Sequence, residues 1–403
     1  MRRPAPVAAV LGAVLVAACS REGAAPDLAP DAVPVVVAEQ PFAPLTGPHA
    51  VGARDLVFLL ERPEPFTSHP EARRRLRVRV WYPAEISATD ELARYVPDPA
   101  EFDGADSFAG VLHVRTRAYR DARADGSQAP YPVLVFHPGG GWTRLSDTFW
   151  TEQLASHGYV VFAVDHQGFN QSVVFPDGHR FTPDQLGFPE ESGDLESDAR
   201  AFWAQLDQHH FPLWLEDHAA LLDRIEMMAA DTADDLAPLL DTSRIGLFGW
   251  SFGGALAVQA SRDDPRVLAA IDGDGQLFGD VQRTGTPKPL LLLHSEPEPV
   301  PAEQRAVLEE LMAEVEAGFA SLRANSPRVW DVTLRGASHG SFSDLVLAAT
   351  PPADRLSAAR GHQIINTLSL AFFDRHLKEG STNLSDVIAS IPEAIEVSRP
   401  EDE

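Results

Sequence analysis

The sequence predicts an α/β fold, a mostly parallel central sheet with helices on both faces, over residues 51–380. Three observations predict it. Six segments of strand length are apolar almost throughout: "YPVLVF" (131–136), "YVVFAVDH" (159–166), "RIGLFG" (244–249), "VLAAID" (267–272), "PLLLLH" (289–294) and "VWDVTL" (329–334). Such segments suit strands buried on both faces, as a parallel sheet requires. Helical stretches separate them. A glycine-flanked bend within "GLFGWSFGGALAV" (246–258) then joins a strand to a helix that opens on small residues.

The elements follow in chain order. "MRRPAPVAAVLGAVLVAACS" has two arginines, a short apolar run and a small-residue end, which reads as a signal peptide over 1–18. Its ending "VAAC" resembles the lipobox of bacterial lipoproteins, with Val16 where leucine is usual. That resemblance makes Cys19 a lipidated residue and places the protein outside the cytoplasm, held to a membrane by its N-terminus. Cys19 is the chain's single cysteine, so no disulfide forms within the chain. Residues 19–50, rich in Ala, Pro and Val, read as a tether.

"RDLVFLL" (54–60) and "RLRVRVWYP" (75–83) are strands. In the second, Arg73, Arg74, Arg75, Arg77 and Arg79 interleave with apolar residues and read as a solvent face. Helices are expected over 147–157, 252–261, 301–324 and 361–378. The aromatic-rich stretch 167–243 is longer than one crossover needs; a cap insertion and extra helices on one face both stay open. Residues 381–403 read as a loose acidic tail.

The formal charge is −26, with 59 acids against 33 bases in 403 residues. So acidic a surface repels phosphate backbones and excludes nucleic acid as a partner. No cofactor or metal is called for. His209 and His210 are adjacent, a spacing that suits no metal.

Gly249, Ser251 and Gly253 form G-x-S-x-G, the nucleophile-elbow pattern of the α/β-hydrolase fold. A serine hydroxyl is a weak nucleophile until a neighbouring base takes its proton and a third group orients that base. In this fold the partners follow in the order Ser, Asp or Glu, His. His339, His362 and His376 lie beyond the 329–334 strand; only His339, in "LRGASHGSFSD", falls on a glycine- and serine-rich loop. His339 is therefore the expected base. For the acid, Asp272, Asp274, Glu296 and Glu298 compete, and spacing does not choose among them.

Seven pieces in register resemble the plasma-type platelet-activating-factor acetylhydrolases and their bacterial relatives. They are "RVWYPA" (79–84), "PVLVFHPGGGW" (132–142), "LASHGYVVFAVDH" (154–166), "GWSFGGA" (249–255), "DGQLFGD" (274–280), "LLLHSE" (291–296) and "SHGSFSD" (338–344). The resemblance spans roughly residues 50–380. It implies Ser251 as nucleophile, His339 as base and Asp274 as acid, since Phe278 follows four residues after Asp274. It implies the backbone N–H groups of Phe252 and Gly140 as oxyanion donors, and leaves Glu296 without a role. Two departures stand out: Pro138 precedes Gly139 where the family often has a His-Gly pair, and Trp250 replaces the usual histidine before the nucleophile. Trp142 and Trp250 are candidates for narrowing an acyl pocket, or for plain core packing.

The expected reaction is hydrolysis of carboxylic esters, short-acyl or acetylated lipid esters first, through an acyl-enzyme. A carboxylesterase, a cutinase-like polyester hydrolase or a dienelactone-type hydrolase would share the fold. A binding lipoprotein that keeps the fold without catalysis is the rival of another class; an incomplete triad would favour it.

Overall fold

A computed structural model describes residues 41–98, 114–168, 173–181, 192–297, 304–348 and 355–400. The signal peptide, Cys19, most of the tether and Glu298 lie outside them. Fourteen strands are described: β1 (Ala50–Pro63), β2 (Arg73–Glu85), β3 (Leu92–Arg94), β4 (Arg115–Arg120), β5 (Arg123–Ala124), β6 (Tyr131–His137), β7 (Val160–Asp165), β8 (Val173–Val174), β9 (Arg180–Phe181), β10 (Leu240–Trp250), β11 (Val267–Gly273), β12 (Leu290–Ser295), β13 (Val329–Leu334) and β14 (Ala394–Ser398).

The main sheet runs β14-β13-β12-β11-β10-β6-β7-β2-β1-β4-β3, with β5 beside β2. From β7 to β13 every neighbouring pair is parallel. These are the six apolar segments of the sequence, and every residue of β6 and β7 is buried. The reason is visible in the layers. Helices Thr148–Ser156 and Ala358–Leu377 cover one face. Phe211–Ala230, Phe252–Asp263 and Arg305–Ala324 cover the other. A strand between two helical layers has no polar side to show, so alternation disappears.

Three expectations are corrected. Only the start of β2 shows arginines to solvent: Arg73 is exposed and Arg75 partly so, whereas Arg74, Arg77 and Arg79 are at most 3 % exposed. Carboxylates meet two of them there, Asp217 and Glu64 at Arg74 and Asp55 at Arg79. Alternation signals two different faces, but not that the polar one is wet. The C-terminal segment is not a loose tail. Leu384–Ala389 is a helix that buries Leu384 and Ile388, and β14 pairs antiparallel with β13. The packed chain also begins earlier than residue 51. Phe42 is buried and its carbonyl accepts from the Arg117 guanidinium, while His49 N–H donates to the Ser156 carbonyl.

The 167–243 stretch divides. Phe211–Ala230 covers the sheet with Leu221, Leu222 and Ile225. Helix Leu195–Gln205 and the π-turn Leu206–His210 bring Phe202, Trp203 and Leu206 to Phe252 and Phe278 instead.

Candidate active site

β6, β10 and β11 end level with one another: Gly249 is in register with His137 on one side and Asp272 on the other. Ligands of open parallel sheets bind beyond such carboxyl ends. Ser251 follows β10 at φ 56° and ψ −121°, a strained conformation for a residue with a side chain. Two backbone bonds fix it, Ser251 N–H to the Gly273 carbonyl at 2.8 Å and Ala255 N–H to the Ser251 carbonyl at 3.1 Å. The two glycines of the motif are required by close approach. A Cβ at Gly253 would lie 2.0 Å from the His137 carbonyl oxygen, and one at Gly249 would lie 2.3 Å from the Gly253 backbone.

His339 opens a short 3₁₀ turn after β13, and its loop is held from several sides. Gly336 N–H donates to Glu296 Oε2 at 2.8 Å, and Trp250 Nε1–H donates to the His339 carbonyl at 3.2 Å. Asp344, just downstream, accepts from Thr148 N–H and Phe149 N–H and so caps a helix on the sheet. The indole contact matters because Trp250 is the residue before Ser251: it ties the end of β10 to the histidine loop.

Of the competing acids, Asp274 is the one that meets the imidazole. Asp274 Oδ2 lies 2.7 Å from His339 Nδ1, and Asp274 Oδ1 accepts from Ser295 N–H at 2.7 Å. Despite burial, which pulls the other way, the bond from His339 holds the Asp274 carboxyl below its usual range. The other imidazole nitrogen, His339 Nε2, is buried and has no hydrogen-bond partner among the described residues, Ser251 Oγ included. Asp272 points elsewhere. Its Oδ1 accepts from Gly275 N–H at 2.8 Å, its Oδ2 has no hydrogen-bond partner among the described residues, and burial pushes the carboxyl up to about 7. Glu296 serves the backbone at Gly336 and does not reach the imidazole through any hydrogen bond described.

The remaining expected residues also gather here. Phe252 is the first residue of the helix after Ser251, where backbone N–H groups lack intrahelical partners. The loop after β6, Pro138 to Gly141, lies against both ends of the elbow. The His137 carbonyl abuts Gly253, and a Cβ at Gly139 would lie 2.9 Å from the Trp250 ring. Gly140 is the next residue of this loop. Trp250 is wholly buried, its ring 6.0 Å from Trp142 and 5.1 Å from the His339 ring. It exposes no surface to a pocket; Trp142 is 8 % exposed. Of the two adjacent histidines, His210 is buried and stacks on Phe66.

Comparison with known proteins agrees with this frame. The family model for platelet-activating factor acetylhydrolase, isoform II, matches residues 36–175 and 228–391, and the alpha/beta hydrolase fold model matches 131–309. The chain belongs to the platelet-activating factor acetylhydrolase family. It is a serine ester hydrolase of the α/β-hydrolase fold. Platelet-activating factor acetylhydrolases from Gallus gallus and Bos taurus are 24 % and 23 % identical to it. Each match covers 82 % of this chain, and 82 % and 76 % of the respective relative. A probable 1-alkyl-2-acetylglycerophosphocholine esterase from Arthroderma benhamiae is 30 % identical over 163 residues, which span 40 % of this chain and 35 % of that protein. Among solved structures, a ferulic acid esterase from Streptomyces cinnamoneus superposes with a TM-score of 0.69 at 28 % identity, covering 89 % of this chain and 99 % of that one.

Two contributors went unassigned in the sequence. Asp344 stands in the quoted "SHGSFSD" piece, but its capping role needs the helix at 148–156 beside it. The buried Asp272 carboxyl was readable only as a competitor for the imidazole.

Proposed function

We propose that Ser251, His339 and Asp274 hydrolyse short-acyl esters, acetylated lipid esters foremost, through an acyl-enzyme. The observation that carries this is the imidazole of His339, bonded at Nδ1 to Asp274 and left without a hydrogen-bond partner at Nε2 among the described residues. With Asp274 ionised, Nδ1 carries the proton and Nε2 presents a lone pair. That lone pair takes the Ser251 proton as Oγ attacks the ester carbonyl. The imidazolium that forms is stabilised by Asp274 and returns the proton to the leaving alcohol. Water then attacks the acyl-serine with the same nitrogen as base, regenerating Ser251.

The backbone N–H groups of Phe252 and Gly140 receive the oxyanion; one such donor is worth about 3–4 kcal/mol of barrier. Trp142 lines the acyl side, and Trp250 supports the histidine loop from beneath. The preference for acetyl esters is supported by the family and by the acetylhydrolase activity for which its relatives are named. Lipidation of Cys19 and anchoring to a membrane belong to the same proposal, supported by the lipobox-like "VAAC".

The test is a p-nitrophenyl ester series, acetate to palmitate, with Ser251→Ala alongside. Rates that fall with acyl length and vanish in Ser251→Ala are expected. No turnover by folded protein on any chain length would refute the reading. Methyl ferulate in the same series tests the aryl-ester alternative raised by the Streptomyces cinnamoneus structure. Replacement of Cys19 by serine is expected to release the protein from the membrane fraction.

A further inference from the structure

Three buried histidines lie outside this mechanism. His137 ends β6 and precedes the loop that carries Gly140; His166 follows β7; His218 sits on helix Phe211–Ala230. All are at most 2 % exposed. His137 Nδ1 is 3.0 Å from His166 Nε2, His137 Nε2 is 3.1 Å from His218 Nδ1, and His166 Nδ1 is 3.0 Å from Asp217 Oδ2.

We propose that these three imidazoles form a one-directional hydrogen-bond chain that positions the oxyanion loop, making His137, His166 and His218 positioning residues for ester hydrolysis. The proposal rests on the assignment of Gly140 and Ser251 above.

The direction follows from its anchored end. Arg74, fully buried, donates Nε–H to Asp217 Oδ1 at 3.0 Å and Nη2–H to Oδ2 at 2.6 Å. Arg62 donates to the same carboxylate. Although burial opposes it, the Arg74 guanidinium and the bond from His166 keep Asp217 ionised far below the usual carboxylate range. It therefore only accepts, and His166 Nδ1 must donate.

A neutral imidazole with one N–H has a bare nitrogen at the other position. His166 Nε2 thus accepts, so His137 donates from Nδ1 and accepts at Nε2, and His218 donates from Nδ1. The chain ends at His218 Nε2, a buried nitrogen with no hydrogen-bond partner among the described residues. Burial lowers all three imidazoles below their usual value, His218 to about 4, which keeps them neutral at pH 7. In this state the same tautomer, Nδ1–H, occurs three times. Any other assignment sets two N–H groups or two lone pairs against each other.

The mechanical consequence lies at His137. Its carbonyl abuts Gly253 in the first turn of the nucleophile helix, and the next residues are Pro138, Gly139 and Gly140. Both ring nitrogens being engaged, the imidazole cannot turn without breaking a bond. The strand end and the loop beyond it are thereby held at one distance from Phe252. An oxyanion site gains from such fixity because its donors must be in place before charge develops.

Two variants of the remote member separate positioning from packing. His218→Asn places an amide N–H where Nδ1–H stood; His218→Leu removes the donor at similar volume. With p-nitrophenyl acetate, His218→Leu is expected to lose about tenfold or more in kcat at little-changed KM, and His218→Asn to restore most of it. Equal losses in both variants, or none in either, would overturn the proposal. Imidazole ¹⁵N spectra of the otherwise unaltered protein test it without any variant: three buried histidines protonated at Nδ1 and bare at Nε2 are expected at pH 7. An Nε2–H tautomer or a doubly protonated ring at any of the three would overturn it. Assaying Ser251→Ala and recording the same spectra on it distinguishes the two readings: persistent hydrolysis by that variant refutes the nucleophile, whatever the tautomers show.

Discussion

Asp272→Asn should make the protein more stable in a way that grows with pH. Asp272 is completely buried, with one oxygen accepting from Gly275 N–H and the other unpartnered. Burial raises its carboxyl from 3.8 to about 7, against the pull of His294. Between those two values the folded protein binds the proton and the unfolded chain does not, so stability falls as pH rises through this window. A shift of about three pH units at 1.36 kcal/mol each gives a loss of about 4 kcal/mol, complete above pH 7. Asparagine resembles the protonated acid: its carbonyl oxygen can accept from Gly275, and it has no charge to bury. Urea unfolding of both proteins at intervals from pH 4 to pH 9 measures the difference. The variant's advantage is expected to climb by several kcal/mol between pH 4 and pH 7, then level. Contributions from buried histidines that do not face Asp272 cancel in the comparison; that of His294, which Asp272 helps to hold raised, does not. A difference that stays within about 1 kcal/mol throughout would refute the claim that Asp272 is held neutral.

Asp274→Asn should cost about 10³–10⁴ in kcat, because the histidine loses the carboxylate that fixes its tautomer. Glu296→Gln should cost less than tenfold, since the amide oxygen still accepts from Gly336; steady-state kinetics of the pair separates the acid from the loop support. Gly253→Ala should lower both stability and kcat, although alanine ordinarily favours a helix by about 1 kcal/mol. Its Cβ would meet the His137 carbonyl at 2.0 Å, so helix and oxyanion loop must part; thermal unfolding and p-nitrophenyl acetate turnover check this. Deleting residues 383–403 should destabilise the domain by several kcal/mol. Leu384, Ile388 and Ile391 leave the core, each worth about 1.5–3 kcal/mol, and β13 becomes an open edge; denaturant unfolding measures the loss.

Much of the fold was legible because a parallel strand between two helical layers must be apolar throughout. The β13 segment was read over the residues it occupies, and β6 over all but its last. β2 was harder. Its arginines read as a solvent face because alternation is the usual mark of one. Arg74, Arg77 and Arg79 are buried, and the pairing at Arg74 draws on a remote part of the chain, since Asp217 lies 143 residues away. The tail was misread for a related reason. Its acidic composition hid three apolar residues, Leu384, Ile388 and Ile391, whose burial depends on a surface formed by earlier elements.

The sequence by itself determined the sheet, the serine on its strand-to-helix turn, and the loop histidine. Each is a local matter: apolar run length, glycines at a close turn, and one histidine outside helical periodicity. Which acid meets His339 was decided by tertiary structure alone. Asp272 and Asp274 are two residues apart, yet Asp274 takes a left-handed backbone conformation, φ 59°, and reaches the imidazole, while Asp272 is directed into the core. The directed chain from Asp217 to His218 is likewise invisible in one dimension. It joins residues 137, 166, 217 and 218, and its direction comes from Arg74, on a strand that packs beside β7 only when the sheet is complete. Local pattern selects secondary structure, whereas charge pairing and burial are properties of the assembled core.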